Sequence, residues 1–307
     1  VHIPDIDKSK FYLRELWRYS VRVGTKLEEL KPDVILSQGF CVWQGASRFS
    51  DRLIVHPHGL EMFQMLTRKE RFLGWPFRAA LKHIVRRSAV VISLGGKLTA
   101  ILQGVAKGSA CRVVVIPNAT EVPLEVPSMS RSEGPLALLF VGRFAFNKGL
   151  DVLLKVAARL ASEGHGDRVR FQLAGDGPLM QELRDRAPAN VELLGRVDDE
   201  QLASLYASCD ALVLPTRFEG MPTVVLEAMA QAKPIIVSDV GATAEQVNMH
   251  NGYLLPPGDT EALYQAVLAF AERASEVRAK MGAYSYVRVR EKFSWPAVTT
   301  QFVAVFR

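Results

Sequence analysis

The sequence predicts an α/β protein of two domains, each a parallel sheet covered by helices. Three observations predict this: short β-rich runs alternate with helical patterns, a proline-rich stretch divides the chain, and 307 residues suit two domains of ordinary size. The apolar fraction of 49% and charged fraction of 23% are typical of a soluble globular protein.

The first domain is predicted at residues 1–120 and begins with an amphipathic helix. The strands are expected at 34–36, 52–55, 89–95 and 112–118, and the helices at 10–30, 77–88 and 97–107. A loop after the second strand is expected to carry His56, His58 and Gly59. In the helix at 77–88, Arg78, Lys82 and Arg86 recur every four residues and so form a basic face.

Three prolines, the last of them in a closing Gly-Pro pair, mark residues 121–135 as a linker. The second domain is predicted at 136–290, and 291–307 are expected to form a helix that returns to the first domain. The second domain's strands are expected at 136–142, 169–175, 191–195, 211–215, 234–238 and 252–256, with helices at 149–162, 178–187, 199–207, 223–232, 259–273 and 275–292.

Strands joined by helical crossovers form an open, doubly wound sheet, in which ligands bind beyond the carboxyl ends of the strands. Four turns with glycine lie just after predicted strands. They are Gly142-Arg143, Gly175-Asp176-Gly177, Gly195-Arg196 and Glu219-Gly220. We expect them to gather along one edge of the sheet.

The stretch RFEGMPTVVLEAMAQAKPIIVSD carries two glutamates, Glu219 and Glu227, with seven residues between them. Glu219 is expected in a strand-to-helix loop and Glu227 one turn inside the helix, with Pro222 in the first helical turn. The free N–H groups at that helix start would suit a phosphate, and the carboxylates would suit sugar hydroxyls. The alternative is that both acids are ordinary surface groups.

The segment GRFAFNKG offers two cations, Arg143 and Lys148, in a glycine-bounded loop. A fixed guanidinium fork and a compact ammonium could together clamp a diphosphate and stabilise it as it departs. The alternative is a pair of solvated loop charges.

Composition limits the partners. A net charge of +6 suits a polyanionic ligand or an anionic membrane surface, and no nucleic-acid-binding motif is present. No apolar run reaches the roughly 20 residues of a membrane span.

Cys41, Cys111 and Cys209 are scattered without metal-like spacing, which favours a reducing, cytoplasmic setting. The helix at 77–88 is basic and is preceded by aromatic residues. Contact with the inner face of an anionic membrane is therefore an open alternative.

The second half resembles the donor-binding domain of retaining GT-B glycosyltransferases of the group 1 (GT4) family. The matching pieces are FVGRFAFNKG, LAGDGP, LGRV, CDALVLPTRFEGMPTVVLEAMAQAKPIIVSDVGATAE and NGYLLPPGD. The first half resembles the family's acceptor domain through KPDVILSQG, HPHGLEMF and VIPN. The resemblance implies two Rossmann-like domains facing a cleft, the first of them incomplete because the family's opening glycine-rich loop has no counterpart.

The resemblance also implies roles for individual residues. His58, Arg143, Lys148 and Glu219 would be the catalytic residues. The donor would be bound by Gly142, Arg143, Lys148, Val197, Glu219, Gly220, Met221, Thr223 and Glu227. His56 does not match the family pattern and is expected to be an ordinary loop histidine.

The implied reaction moves a sugar from a UDP- or GDP-linked donor to a glycan or lipid-linked acceptor, with retention of configuration and without a metal or other cofactor. Polysaccharide biosynthesis would be a typical setting. Two alternatives stay open: a non-catalytic fragment that binds a nucleotide sugar or carbohydrate, and another GT-B enzyme such as a nucleotide-sugar epimerase or a phosphorylase.

Overall fold

The computed structural model describes residues 3, 6, 11–65, 68–127 and 134–306. The chain divides into two compact units. One holds the residues up to Pro117 and those from Phe302 onward, and the other holds Asn118–Gln301. Part of the predicted linker, residues 128–133, lies outside the described residues, as do most of the first ten residues and the last residue of the predicted terminal helix.

The first unit contains a four-stranded parallel sheet in the order β1-β2-β3-β4. Its elements are α1 (Tyr12–Leu30), β1 (Ile35–Gln38), β2 (Leu53–His56), α2 (Arg68–Leu73), α3 (Trp75–Val85), β3 (Val90–Ser93), α4 (Gly96–Ala106) and β4 (Arg112–Val115), with 3₁₀ turns at Ala46–Phe49 and Glu61–Phe63. The two central strands, β2 and β3, are buried along their whole length, as expected for strands covered on both faces.

The second unit contains a six-stranded parallel sheet in the order β10-β9-β8-β5-β6-β7. Its strands are β5 (Leu136–Val141), β6 (Val169–Ala174), β7 (Val191–Gly195), β8 (Ala211–Leu214), β9 (Ile235–Ser238) and β10 (Gly252–Leu255). Its helices are α5 (Leu150–Ser162), α6 (Met180–Arg186), α7 (Asp199–Ser208), α8 (Thr223–Ala230), α9 (Thr243–Gln246), α10 (Thr260–Glu272) and α11 (Ser275–Lys292), with a 3₁₀ turn at Phe146–Lys148. A last helix, α12 (Trp295–Phe306), crosses the division between the units.

The strand order of the second sheet reverses between β5 and β8. The chain starts at β5, adds β6 and β7 on one side, and then returns to place β8, β9 and β10 on the other side. The loops after β5 and β8 therefore leave the sheet side by side and lead to different faces. In open α/β sheets this reversal is where ligands bind.

The central strands of the second unit are continuous apolar runs because they are buried in its core. Leu138, Leu139 and Phe140 of β5 have no exposed surface, and every residue of β8 and β9 is buried. On α8, Val225, Leu226 and Ala228 are equally buried. An acidic residue on this helix must therefore find a polar partner, because leaving it unpaired in such surroundings is costly.

The predicted strands and long helices are all present, with boundaries that differ by a few residues. The short helices α2 and α9 were not predicted, because six and four residues are too few to show a helical period. Pro222 had been expected in the first turn of α8. It is instead the N-cap, the residue just before that turn. His56 is the last residue of β2 and is buried, so its prediction as a loop histidine was wrong.

Candidate functional site

The loop after β8 (residues 215–222, the β8–α8 loop) is bound to the protein through three successive carbonyl groups. The backbone N–H of Ala242 donates to the oxygen of Gly220 over 2.8 Å. The side-chain amides of Asn118 and Gln246 donate to Met221 and Pro222 over 2.8 and 3.0 Å. The loop backbone is therefore held along its inner side.

These bonds determine where the loop's N–H groups point. In a trans peptide, the N–H points opposite to the carbonyl of the preceding residue. The carbonyls of Gly220 and Pro222 face Ala242 and Gln246, so the N–H groups of Met221 and Thr223 are directed away from them. Together with the positive end of α8, they form a donor set suited to phosphate oxygens.

Gly241 lets the neighbouring backbone approach this loop. A Cβ built on it would lie 2.3 Å from the oxygen of Glu219 and 2.4 Å from that of Gly220. Its φ of 54° is also in the left-handed region that favours glycine. The sequence SDVGATAE therefore supplies the rear support of the β8–α8 loop.

Lys148 and Glu219, both predicted to bind the donor, form an ion pair. Lys148 Nζ donates to Glu219 Oε1 over 2.6 Å, and the side chains are 22% and 11% exposed. Lys148 belongs to the loop after β5 (residues 142–149, the β5–α5 loop), and Glu219 to the β8–α8 loop. The pair thus joins the two loops that leave the sheet at its reversal point.

Glu227 is held by a residue that sequence reasoning missed. The hydroxyl of Tyr206, on α7, donates to Glu227 Oε2 over 2.8 Å, and Tyr206 is 4% exposed. Burial, followed by the charge of Glu227, raises the pKa of Tyr206, so its hydroxyl keeps its proton. Glu227 is half-buried and so needs a polar partner, but the helical pattern of LASLYAS does not show which residue provides it.

A cavity of about 490 Å³ opens beyond the carboxyl ends of β5, β6 and β7. It is lined by Val141, Gly142, Arg143, Ala174, Gly175, Asp176, Gly177, Arg196, Val197 and Leu202. Three of the predicted binding residues, Gly142, Arg143 and Val197, thus meet in one cavity. Lys148, Glu219 and Glu227 are not among its lining residues. Lys148 lies further along the loop after β5, and Glu219 and Glu227 follow β8, across the reversal point.

Two glycines allow the backbone segments at the base of this cavity to pack closely. A Cβ on Gly175 would lie 1.9 Å from the oxygen of Gly142, and one on Gly177 would lie 2.5 Å from that of Phe144. The glycine-bearing turns after β5 and β6 therefore pack backbone against backbone. This contact leaves the Arg143 side chain exposed beside the cavity.

In the first unit, His58 and His56 lie with ring centroids 4.0 Å apart, and Nε2 of His58 contacts the side-chain oxygen of Gln38. Burial, and then the neighbouring His58, lower the pKa of His56 to about 4, and burial also lowers that of His58. Both rings are thus neutral at pH 7. His58 has a φ of 58°, a conformation uncommon for residues other than glycine.

The described residues contain no cluster of three or more histidine, cysteine, aspartate or glutamate side chains that could hold a metal ion. Nor do they include a helix long and apolar enough to cross a membrane.

The part of the chain that matches a known family model lies within the second unit. Residues 135–273 match the family model described as "Glycosyl transferases group 1". D-rhamnosyltransferase WbpZ of Pseudomonas aeruginosa is 33% identical over 169 residues, which are 52% of this chain and 42% of that protein. This chain spans less than half the length of such curated relatives.

Solved structures resemble the chain over nearly its whole length. Sucrose-phosphate synthase from Thermosynechococcus elongatus has a TM-score of 0.83 and 22% identity, over 99% of this chain and 80% of that one. Anabaena Alr3699/HepE, solved in complex with UDP, has a TM-score of 0.74 and 20% identity, over 93% and 81%. The chain therefore has a fold similar to that of GT-B glycosyltransferases, and its residues 135–273 are similar to the glycosyl transferases of group 1.

Proposed function

We propose that this chain is a retaining glycosyltransferase of the GT4 type that uses a nucleotide-diphosphate sugar as donor. The observation that carries the proposal is the Lys148–Glu219 pair at the reversal point of the second sheet, beside the outward N–H groups of the β8–α8 loop. A cation and two amides suit the diphosphate, and a fixed carboxylate suits hydroxyls of the transferred sugar.

The remaining donor contacts follow from the same site. Arg143, exposed beside the cavity, supplies a second cation for the diphosphate, and Gly142 lines the cavity next to it. Glu227, oriented by Tyr206, accepts hydrogen bonds from the ribose hydroxyls. Val197, half-buried in the cavity wall, contacts the base. His58 is proposed as the catalytic group on the acceptor side.

In the proposed reaction, the bond between the sugar's anomeric carbon and the diphosphate oxygen breaks, leaving an oxocarbenium-like sugar. Arg143, Lys148 and the amides of Met221 and Thr223 stabilise the negative charge that develops on the diphosphate. The acceptor hydroxyl attacks from the face that the leaving group occupied, and its proton passes to a diphosphate oxygen. This accounts for retention of configuration. We propose that no metal is required, because these fixed donors supply the charge stabilisation that a metal supplies elsewhere.

A fluorescence thermal shift experiment in EDTA tests the donor proposal, with UDP, GDP and ADP and their sugar conjugates as probes. A ligand at 100 times its dissociation constant should stabilise the protein by about 2.7 kcal/mol. We expect UDP or GDP to do so, and the UDP complex of the Anabaena relative makes UDP the first probe. Arg143→Ala should reduce the shift. A shift that appears only after Mg²⁺ is added would contradict metal independence.

Transfer itself is tested by incubating the nucleotide sugar that binds with candidate glycan and lipid-linked acceptors. A glycosylated product with unchanged anomeric configuration, or slow release of free sugar, supports the proposal. Binding without either reaction would favour the non-catalytic alternative, and conversion of the donor into its epimer would favour an epimerase.

An anionic membrane is proposed as a further partner, which would place the chain at the inner face of a cytoplasmic membrane. Three apolar side chains at the junction of α2 and α3 are strongly exposed: Phe72 by 81%, Leu73 by 60% and Trp75 by 64%. Arg68, Lys69 and Arg71 lie exposed beside them. Apolar insertion next to basic residues suits an anionic lipid surface.

The basic face predicted on residues 77–88 is only partly available for this contact. Arg78 donates to the backbone oxygens of Met62 and Arg71, and Arg86 donates to that of Lys107. Phe77, the first residue of that predicted helix, is half-buried against the rings of Tyr12 and Phe40. The proposal therefore rests on α2 and Trp75.

Flotation with vesicles tests the membrane proposal. Parent protein should float with vesicles of phosphatidylcholine that also contain phosphatidylglycerol, and not with vesicles of phosphatidylcholine alone. Phe72→Ala with Trp75→Ala should reduce flotation, whereas replacing the exposed Leu124, remote in sequence, should not. Equal flotation of all forms would contradict the proposal.

A further inference from the structure

We propose that Arg217 is a positioning residue for the Lys148–Glu219 pair, acting through the β5–α5 loop without touching the donor. The inference rests on the proposed function of that pair and assigns a role to the arginine of the segment TRFEG. Arg217 lies two residues before Glu219, but its side chain is directed to the segment that carries Lys148.

The guanidinium of Arg217 is held on three sides. Its Nη1 and Nη2 donate to Oδ1 and Oδ2 of Asp151 over 2.7 and 2.8 Å, which is a bidentate pair. Nη1 also donates to the backbone oxygen of Phe146 over 2.8 Å, and the guanidinium carbon lies 4.2 Å from the centre of the Phe146 ring. The side chain is 11% exposed, so these contacts are poorly screened by water.

The backbone beside Arg217 holds the same segment. Its N–H donates to the oxygen of Asn147 over 2.7 Å, and the hydroxyl of Thr216 donates to the same oxygen over 2.9 Å. Both carbonyls that precede Lys148 in the chain, those of Phe146 and Asn147, are therefore bound by the β8–α8 loop.

The turn after Lys148 is fixed as well. Gly149 has a φ of 71°, and a Cβ on it would lie 1.9 Å from the oxygen of Pro215. Lysine has a flexible four-carbon stem, so the position of its ammonium depends on how firmly its backbone is held. The contacts of Arg217, Thr216 and Gly149 hold this backbone against the loop that presents Glu219, and thereby set the distance between the two charged groups.

Asp151 is the anchor of this arrangement, at the start of α5. Burial alone would raise the pKa of Asp151, but the hydrogen bonds and charge of Arg217 hold it below its usual value. A planar fork on a carboxylate gives a defined direction as well as an attraction, which a lysine at the same position does not provide.

The test compares Arg217→Lys with a matched control elsewhere in the same unit. Arg159, on α5, also bonds two carboxylates, those of Glu163 and Glu261, and stacks 3.6 Å from the ring centre of Tyr264. Arg159→Lys therefore removes the same kind of contact far along the helix from Lys148. Inorganic pyrophosphate serves as the probe because it needs no choice of nucleobase, and its binding is measured by titration calorimetry well below the unfolding temperature of each variant.

We expect Arg217→Lys and Asp151→Asn to weaken pyrophosphate binding roughly tenfold, and Arg159→Lys to leave it unchanged. The decisive readout is a double-mutant cycle. In a Lys148→Ala background, Arg217→Lys should cost little further affinity, because Arg217 acts through Lys148. A general loss of stability would instead reduce binding in both backgrounds.

Two outcomes would overturn the inference in distinguishable ways. If Lys148→Ala weakens binding while Arg217→Lys does not, or if the two effects are independent, Arg217 has no positioning role and the proposed donor site stands. If the parent protein does not bind pyrophosphate, or Lys148→Ala has no effect on its binding, the diphosphate site itself is refuted and the inference falls with it.

Discussion

The ammonium of Lys148 lies 2.6 Å from Oε1 of Glu219, although the two residues are 71 positions apart in the chain. A cation expected to bind the diphosphate is thus already paired with the carboxylate expected to bind the sugar. The pair holds each group in place before a donor arrives. A donor entering this site must share the ammonium with Glu219, which links diphosphate binding to placement of the sugar.

Glu219→Gln should lower the rate of transfer more than the affinity for diphosphate. The amide removes the negative charge while keeping the shape, so sugar hydroxyls lose a charged acceptor and Lys148 becomes available to phosphate. We expect kcat to fall at least roughly tenfold, with little change in donor KM, since the lost interaction acts in the transition state. Steady-state kinetics measures this. Glu163→Gln, a surface acid paired with Arg159, is the control, and a change confined to KM would contradict the assignment.

Tyr206→Phe should weaken nucleoside binding through Glu227. Loss of the hydroxyl leaves Glu227 without the bond that orients it, and one such bond to a charged group contributes about 1.5–3 kcal/mol. Titration with the nucleoside of the donor that binds should show a weaker affinity, and Glu227→Ala a greater loss. Tyr264→Phe is a matched control, because that hydroxyl also bonds a glutamate, Glu163, on the surface. Equal effects of the two phenylalanine variants would argue against a role for Tyr206.

Gly241→Ala should disrupt the β8–α8 loop. The new Cβ would meet two backbone oxygens at 2.3 and 2.4 Å, so the loop must move. Gly258→Ala is the control: its φ of 78° imposes a similar left-handed strain of about 1 kcal/mol, but nothing lies within 4 Å of the added atom. We expect both variants to lose thermal stability, and only Gly241→Ala to lose pyrophosphate binding. Retention of binding by Gly241→Ala would show that the loop amides are not needed.

Acid should destabilise the first unit through His56. Its pKa is about 4 in the folded chain, against an ordinary value of 6.5. Between these values the unfolded chain binds a proton that the folded chain does not, so the stabilisation is complete above pH 6.5 and is lost as the pH falls toward 4. The free energy of unfolding should drop by on the order of 2 kcal/mol between pH 7.5 and 5 from this group.

Urea unfolding followed by tryptophan fluorescence measures this change. Trp17, Trp43 and Trp75, three of the four tryptophans, belong to the first unit. In His56→Gln this part of the pH dependence should disappear. An identical loss of stability on acidification in parent and variant would show that other groups cause it.

Much of the fold could be predicted because its signals are local. A buried strand such as β8 is a continuous apolar run, and a helix such as α5 shows its period within thirteen residues. The positions of Gly142, Arg143, Lys148 and Glu219 just after strands were also visible, since the carboxyl ends of parallel strands share an edge. Short elements such as α9 gave no such signal.

The amino-acid sequence alone predicts the succession of strands and helices in each unit and the residue types at the edge of the second sheet. It does not predict which of these residues meet, and the folded chain pairs Lys148 with Glu219, Tyr206 with Glu227, and Arg217 with Asp151. The physical reason is that each partner lies on a different crossover. Their proximity depends on β8 pairing with β5 and on α7 packing near α8, and hydrophobic periodicity specifies which face of an element is buried but not which neighbour covers it.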